Sequence, residues 1–129
     1  MNFEQARSNM VLNQLRANRI KKSSLIEKIE LFPRENLYPK TYKHLAYSDK
    51  IIFLDDGRFI LPPLTSFHLL QALGEIDDES ILEIGSGFGT STSIINKFSS
   101  NIDCIESSMQ MIEVFKNSMK EGLFNASLL

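Results

Sequence analysis

Ile81-Leu82-Glu83-Ile84-Gly85-Ser86-Gly87-Phe88-Gly89-Thr90 is an apolar run that reaches an acid and then breaks into three glycines at alternate positions. Twenty-one residues after Gly85, a second apolar run, Ile102-Asp103-Cys104-Ile105, ends in Glu106. The spacing predicts a strand, a glycine turn, a helix and a parallel strand closed by a carboxylate, a unit that binds nucleoside-containing cofactors. Gly85 and Gly87 suit a tight turn under a ligand, because glycine tolerates positive φ and leaves room for close approach. A helix is expected from about Thr90, with its first amides facing the ligand. Glu106 then accepts from both ribose hydroxyls.

The run is G-x-G-x-G, not the G-x-G-x-x-G of dinucleotide sites. Glu83 precedes it and would repel a pyrophosphate, but suits a ligand with a cationic end. This favours S-adenosylmethionine, whose aminoacyl end and sulfonium are positive, over NAD. The candidate cofactor-binding residues are Glu83, Gly85, Ser86, Gly87, Gly89, Glu106 and Ser107, with Ser107 either contacting the ligand or capping the next helix. No catalytic residue is assigned from the sequence.

Composition is that of an ordinary globular chain: 129 residues, 43% hydrophobic, 23% charged, formal net charge −2. No apolar run of ~18 residues predicts a membrane span, and the polar start Met1-Asn2-Phe3-Glu4-Gln5 has no signal-peptide core. The balance of charge leaves no footprint for nucleic acid. One cysteine, Cys104, precludes an internal disulfide and fits a reducing cytoplasm. His44 and His68 lack partners at ligand spacing, so no metal site is expected.

Around the glycines, periodicity predicts an amphipathic helix from about Phe3 to Asn18 with Arg7, Arg16 and Arg19 exposed. A capping box at Ser24-Leu25-Ile26-Glu27 opens a short helix that Pro33 stops. A small hairpin forms about Asp55-Asp56-Gly57, and Asp56 and Arg58 read as turn and surface positions, with contact of Arg58 to an acidic substrate as the alternative. A helix runs from Pro63 to Leu73 with Gly74 as its stop. Further helices are expected over Thr90–Phe98 and Met109–Glu121, and a third strand opens at Ala126–Leu129. Tyr38, Tyr42 and Tyr47 are expected to pack the N-terminal segment.

The whole chain resembles the amino-terminal part of protein-L-isoaspartate O-methyltransferases. The likeness rests on Phe3-Glu4-Gln5-Ala6-Arg7 with Asn9-Met10-Val11, on Pro33-Arg34-Glu35-Asn36-Leu37-Tyr38-Pro39 against P-R-E-x-F-x-P, and on Ala46-Tyr47-Ser48-Asp49 against A-Y-x-D. Leu70-Gln71-Ala72-Leu73 and the glycine run complete it. The resemblance implies an α/β fold, the start of a Rossmann-like class I methyltransferase with a doubly wound sheet, preceded by a helical segment. On this resemblance residues 1–62 are expected to form the substrate side with the hairpin, and 63–129 to begin the S-adenosylmethionine-binding domain, with an expected cut in or near its third strand. It implies methyl transfer to the free carboxylate of L-isoaspartyl (D-aspartyl) residues in damaged proteins, a repair reaction, with such proteins or peptides as partners.

One departure matters. The family's loop before this helix carries G-x-x-I-S-x-P, with its serine at the reaction centre. In Gly57-Arg58-Phe59-Ile60-Leu61-Pro62-Pro63 that place holds Leu61, which donates no hydrogen bond. Two alternatives follow: a relative that binds cofactor without turnover, and a methyltransferase for another substrate. A two- or three-stranded open sheet would expose an edge and an apolar face, so the isolated chain is expected to associate.

Overall fold

A computed structural model describes all 129 residues. Helix α1 (Phe3–Asn9) is capped by the Asn2 side chain, which accepts from the Gln5 amide. It widens into a π-helical stretch, Met10–Leu15, and closes as a 3-10 turn, Arg16–Asn18. Helix α2 (Ser23–Leu31) follows. The expected capping box does not form: Lys22 is the N-cap residue and no side chain bonds the first amides.

Strands β1 (Ile52–Phe53) and β2 (Phe59–Ile60) pair antiparallel as the expected hairpin, with Gly57 at φ +83° in its turn. Helix α3 (Pro63–Ala72) starts on Pro63 and is stopped at Gly74, φ +76°. Then come β3 (Ile81–Ile84), α4 (Thr92–Ile95), β4 (Ile102–Ile105), α5 (Met109–Lys120) and β5 (Ser127–Leu128). The order β3-β4-β5, parallel throughout, gives an α/β fold with a partial sheet. α4 is much shorter than the sequence suggests, because its Ser and Thr side chains compete for backbone bonds and only Ile94 and Ile95 anchor it as large apolar side chains.

One apolar core holds the chain together. It runs from Met10 and Leu15 through Ile26, Leu37 and Phe67 to Ile102, Phe115 and Phe124, so residues 1–62 and 63–129 share it. Arg7 is not exposed as expected: its Nε donates to Tyr47 Oη at 2.9 Å and its Nη2 to Glu35 at 3.4 Å, while Tyr47 donates to Glu35. Arg34 donates to the Ala46 carbonyl at 2.8 Å and lies over the Tyr38 and Phe67 rings. These bonds tie the Pro33–Pro39 stretch to Ala46-Tyr47 as a brace. Tyr38 and Tyr42 then pack against Phe88, inside the glycine run.

Along the sheet the faces alternate. Ile81, Glu83, Ile102 and Cys104 turn towards the helices, and the opposite face presents Leu82 (57% exposed), Ile84 (75% exposed), Ile105 and Leu129. β3 and β5 each lack a partner on one side. Such a face and such edges favour association. The chain is expected to self-associate with rising concentration in sedimentation velocity. Leu82→Ser with Ile84→Ser should weaken that association at least about tenfold, since each buried aliphatic side chain contributes roughly 1.5 kcal/mol or more. A wild-type chain that stays monomeric across the range would contradict this. No helix is long and apolar enough to cross a membrane.

Candidate functional site

The carboxyl end of β3, the glycine run and the hairpin surround an open cleft, which Ser66 of α3 and Met111 of α5 complete. Its floor is the glycine run. Gly85, Gly87 and Gly89 all have positive φ, +81°, +60° and +90°. The loop is folded back on β4: the Gly85 amide donates to the Ile105 carbonyl at 2.7 Å and the Gly87 amide to Glu106 Oε1 at 2.8 Å. Gly85 and Gly87 face the cleft region with ordinary clearance, whereas a Cβ on Gly89 would overlap the Phe124 ring.

Glu83 ends the covered side of β3. Thr92 Oγ1 and, at 3.8 Å, Cys104 Sγ donate to its Oε1, while Oε2 has no protein donor. Burial raises the Glu83 carboxyl above its ordinary range, and the hydrogen bonds from Thr92 and Cys104 offset only part of this. Burial, then the nearby Glu83 charge, pushes the Cys104 thiol up to about 12, so it stays protonated and able to donate. A raised carboxyl favours folding below its unfolded value of 4.5 and loses that contribution as pH rises through the folded value. Glu83→Gln is therefore expected to be more stable than wild type at pH 7 and to converge with it near pH 4. Urea titrations at both pH values check this; equal stability at pH 7 would refute the buried charge.

Glu106 behaves in the opposite way. Its side chain is 0% exposed, and it accepts from the amides of Gly87, Ser107 and Ser108 at 2.8, 2.8 and 2.9 Å. Arg58 reaches across from the hairpin and grips both oxygens, Nη2 to Oε1 at 3.0 Å and Nη1 to Oε2. Burial alone would raise this carboxyl, but the Arg58 bonds and the Ser108 and Gly87 amides hold it below the usual range. Arg58 was expected on the surface; it instead bridges hairpin and sheet with its side chain 32% exposed. Asp56 fixes the turn beneath it, accepting from the Arg58 amide at 3.0 Å and from Ser108 Oγ.

Ser108, not Ser107, caps α5, since its Oγ accepts from the Met111 amide at 3.2 Å. Ser107 keeps its amide on Glu106 and its hydroxyl 3.4 Å from Arg58 Nη1. Ser86 lines the cleft, and its Oγ is buried without a hydrogen-bond partner. Such orphan groups are rare, and this one suits a polar ligand. Two residues at the site carry no sequence signal: Ser66 on α3, which lines the cleft and belongs to no motif, and Thr92, which donates to Glu83 nine positions away with no helical register between them.

A family sequence model described as protein-L-isoaspartate(D-aspartate) O-methyltransferase matches residues 6–124. The chain belongs to this family. A protein-L-isoaspartate O-methyltransferase of Protochlamydia amoebophila is 28% identical over 116 residues, covering 90% of this chain and 55% of that protein. One from Rhodospirillum centenum is 31% identical over 101 residues, covering 78% of this chain and 46% of the relative. The chain thus spans about half the length of the curated relatives it matches. A solved structure titled protein-L-isoaspartate O-methyltransferase superposes with a TM-score of 0.74 over 95% of this chain and 41% of that one, at 21% identity, which shows the shared fold. Leu61 and the buried Ser66 both line the cleft.

Proposed function

We propose that this chain holds the cofactor half of a methyl-transfer site that takes S-adenosylmethionine and esterifies the free carboxylate of L-isoaspartyl (D-aspartyl) residues in damaged proteins. The observation that carries the reading is a pair of carboxylates at the ends of adjacent strands: Glu83 lines the cleft, and Glu106 accepts from the Gly87 amide of the glycine run. Glu83, with an oxygen free of protein donors, suits the cationic aminoacyl end. The unpartnered Ser86 Oγ and the clearance above Gly85 and Gly87 support a polar ligand on the loop. At Glu106 the fit requires Arg58 to yield a place for the ribose.

The cofactor would supply a methyl group already activated on sulfonium. The chain's residues need only bind, orient and keep water out. Glu83 and the glycine loop position the donor side, Gly89 holds the loop against Phe124, and residues 1–62 with the hairpin form the acceptor side. Ser107 contributes through its amide on Glu106.

A cation placed beside Glu83 lowers that carboxyl, so binding releases protons. Affinity for S-adenosylmethionine should rise as pH climbs through the raised Glu83 value and level off above it, and Glu83→Gln should flatten the profile. Calorimetry in buffers of different ionisation enthalpy reads the proton release directly; a flat wild-type profile would count against Glu83 as the cation's partner.

A second reading is a relative that binds cofactor without turnover, favoured by Leu61 on the cleft wall. Transfer of labelled methyl groups from S-adenosylmethionine to an isoaspartyl peptide, with the aspartyl isomer as control, separates the two. Base-labile ester on the isoaspartyl peptide supports transfer. Saturable cofactor binding with no ester supports the second reading.

A further inference from the structure

Glu106 has no acceptor capacity left. A carboxylate offers about four lone-pair sites, and five N–H contacts converge on this one: two from Arg58 and one each from the amides of Gly87, Ser107 and Ser108. The three amides belong to the strand end and the glycine loop and cannot leave without unfolding the turn. Arg58 can. Its backbone is pinned through Asp56 to the start of α5, but its long side chain is a third exposed, and it lies over the loop, with Nη2 3.6 Å from where a Gly85 Cβ would be. Arg58 is also the only basic residue lining the cleft.

We propose that Arg58 serves two carboxylates in turn: it holds Glu106 in the free protein, and is released to hold the carboxylate of the methyl acceptor once a ribose takes Glu106. The inference rests on the methyl-transfer reading above. No bond is made or broken in the exchange. One ion pair is replaced by another, and the two ribose hydroxyls take the lone pairs that the guanidinium vacates. The planar fork of arginine fits either carboxylate in the same two-bond geometry. Cofactor binding thereby creates the acceptor's anchor, and the two ligands bind with positive coupling. By linkage each tightens the other by the same factor. Arg58 is a positioning residue in the first state and an acceptor-binding residue in the second.

The test is a set of binding measurements on the full chain, without turnover. S-adenosylhomocysteine is titrated into wild type, Arg58→Gln and Arg58→Lys, and an isoaspartyl peptide is titrated with and without saturating S-adenosylhomocysteine. In Arg58→Gln the nucleoside should bind about tenfold tighter than in wild type, because the competent state is no longer held closed. In wild type, S-adenosylhomocysteine should tighten the peptide roughly tenfold, and Arg58→Gln should abolish that coupling. Arg58→Lys, which keeps the charge but not the fork and is the milder change to the fold, should fall between. Arg58→Gln and Arg58→Lys that bind S-adenosylhomocysteine no tighter than wild type, or peptide affinity unaffected by it, would overturn the exchange while leaving the cofactor site standing. Folded wild type and variants that all fail to bind S-adenosylhomocysteine would overturn the methyl-transfer reading itself, and the exchange with it.

Discussion

Glu106→Ala is expected to lose about 3 kcal/mol of stability in urea titration at pH 7 and all measurable affinity for adenosine-containing ligands. The side chain is fully enclosed, and its removal strands three loop amides and a half-buried guanidinium together. Breaking a buried ion pair by deleting one partner costs about 3–5 kcal/mol, and the lower end applies because Arg58 can turn to water. The pH dependence follows from the depressed carboxyl. Its contribution is fully present above the unfolded value of 4.5 and is lost as pH falls through the lower folded value. The difference between wild type and Glu106→Ala should therefore narrow only in acid, and at pH 7 its sign is opposite to that of Glu83→Gln. A loss under about 1 kcal/mol at pH 7 would mean that Glu106 does not organise the loop.

Gly89→Ala should cost a comparable amount, about 3 kcal/mol, through a different mechanism. The new Cβ would lie 2.6 and 2.7 Å from Phe124 ring atoms and 3.4 Å from Phe115, and the backbone is at φ +90°. The Phe124 ring is buried and locked edge-on against Phe115 with centroids 4.9 Å apart, so it has little room to retreat. Overpacking and left-handed strain each cost about 1–3 kcal/mol. Gly122→Ala is the control: its φ is +80°, but nothing lies within 4 Å of a Cβ there, so only the conformational cost of about 1 kcal/mol remains. Denaturation midpoints for the pair decide the matter. Equal losses at the two sites would remove the packing argument and leave Gly89 as a loop glycine alone.

The sheet was legible because its signals are local. β4 matches the run Ile102–Ile105 residue for residue, and β3 is the apolar run Ile81–Ile84 that precedes the glycines. The glycine stop at Gly74 and the proline start of α3 were equally plain, since positive φ and a missing amide are properties of single residues. Side-chain partners were not legible. Arg58 follows an ordinary turn, and only the fold brings it to Glu106, forty-eight positions away. Arg7 sits at an outward position of its helix and is drawn in by Tyr47 and Glu35. The capping box failed for a related reason: Lys22 is held by Gln71 of α3 and by the Gly74 carbonyl just beyond it, and the helix starts two residues early. At the site, the strand-end acids were found by spacing, but the saturation of Glu106 is a property of five donors from three segments of chain.

The most direct test is calorimetric titration of S-adenosylmethionine into this chain, with S-adenosylhomocysteine alongside and NAD as the control. Saturable one-to-one binding of both methyl-cycle ligands, absent in Glu106→Ala and undetectable for NAD, is the predicted result. A folded chain that binds neither, or that prefers NAD, would contradict the cofactor half-site.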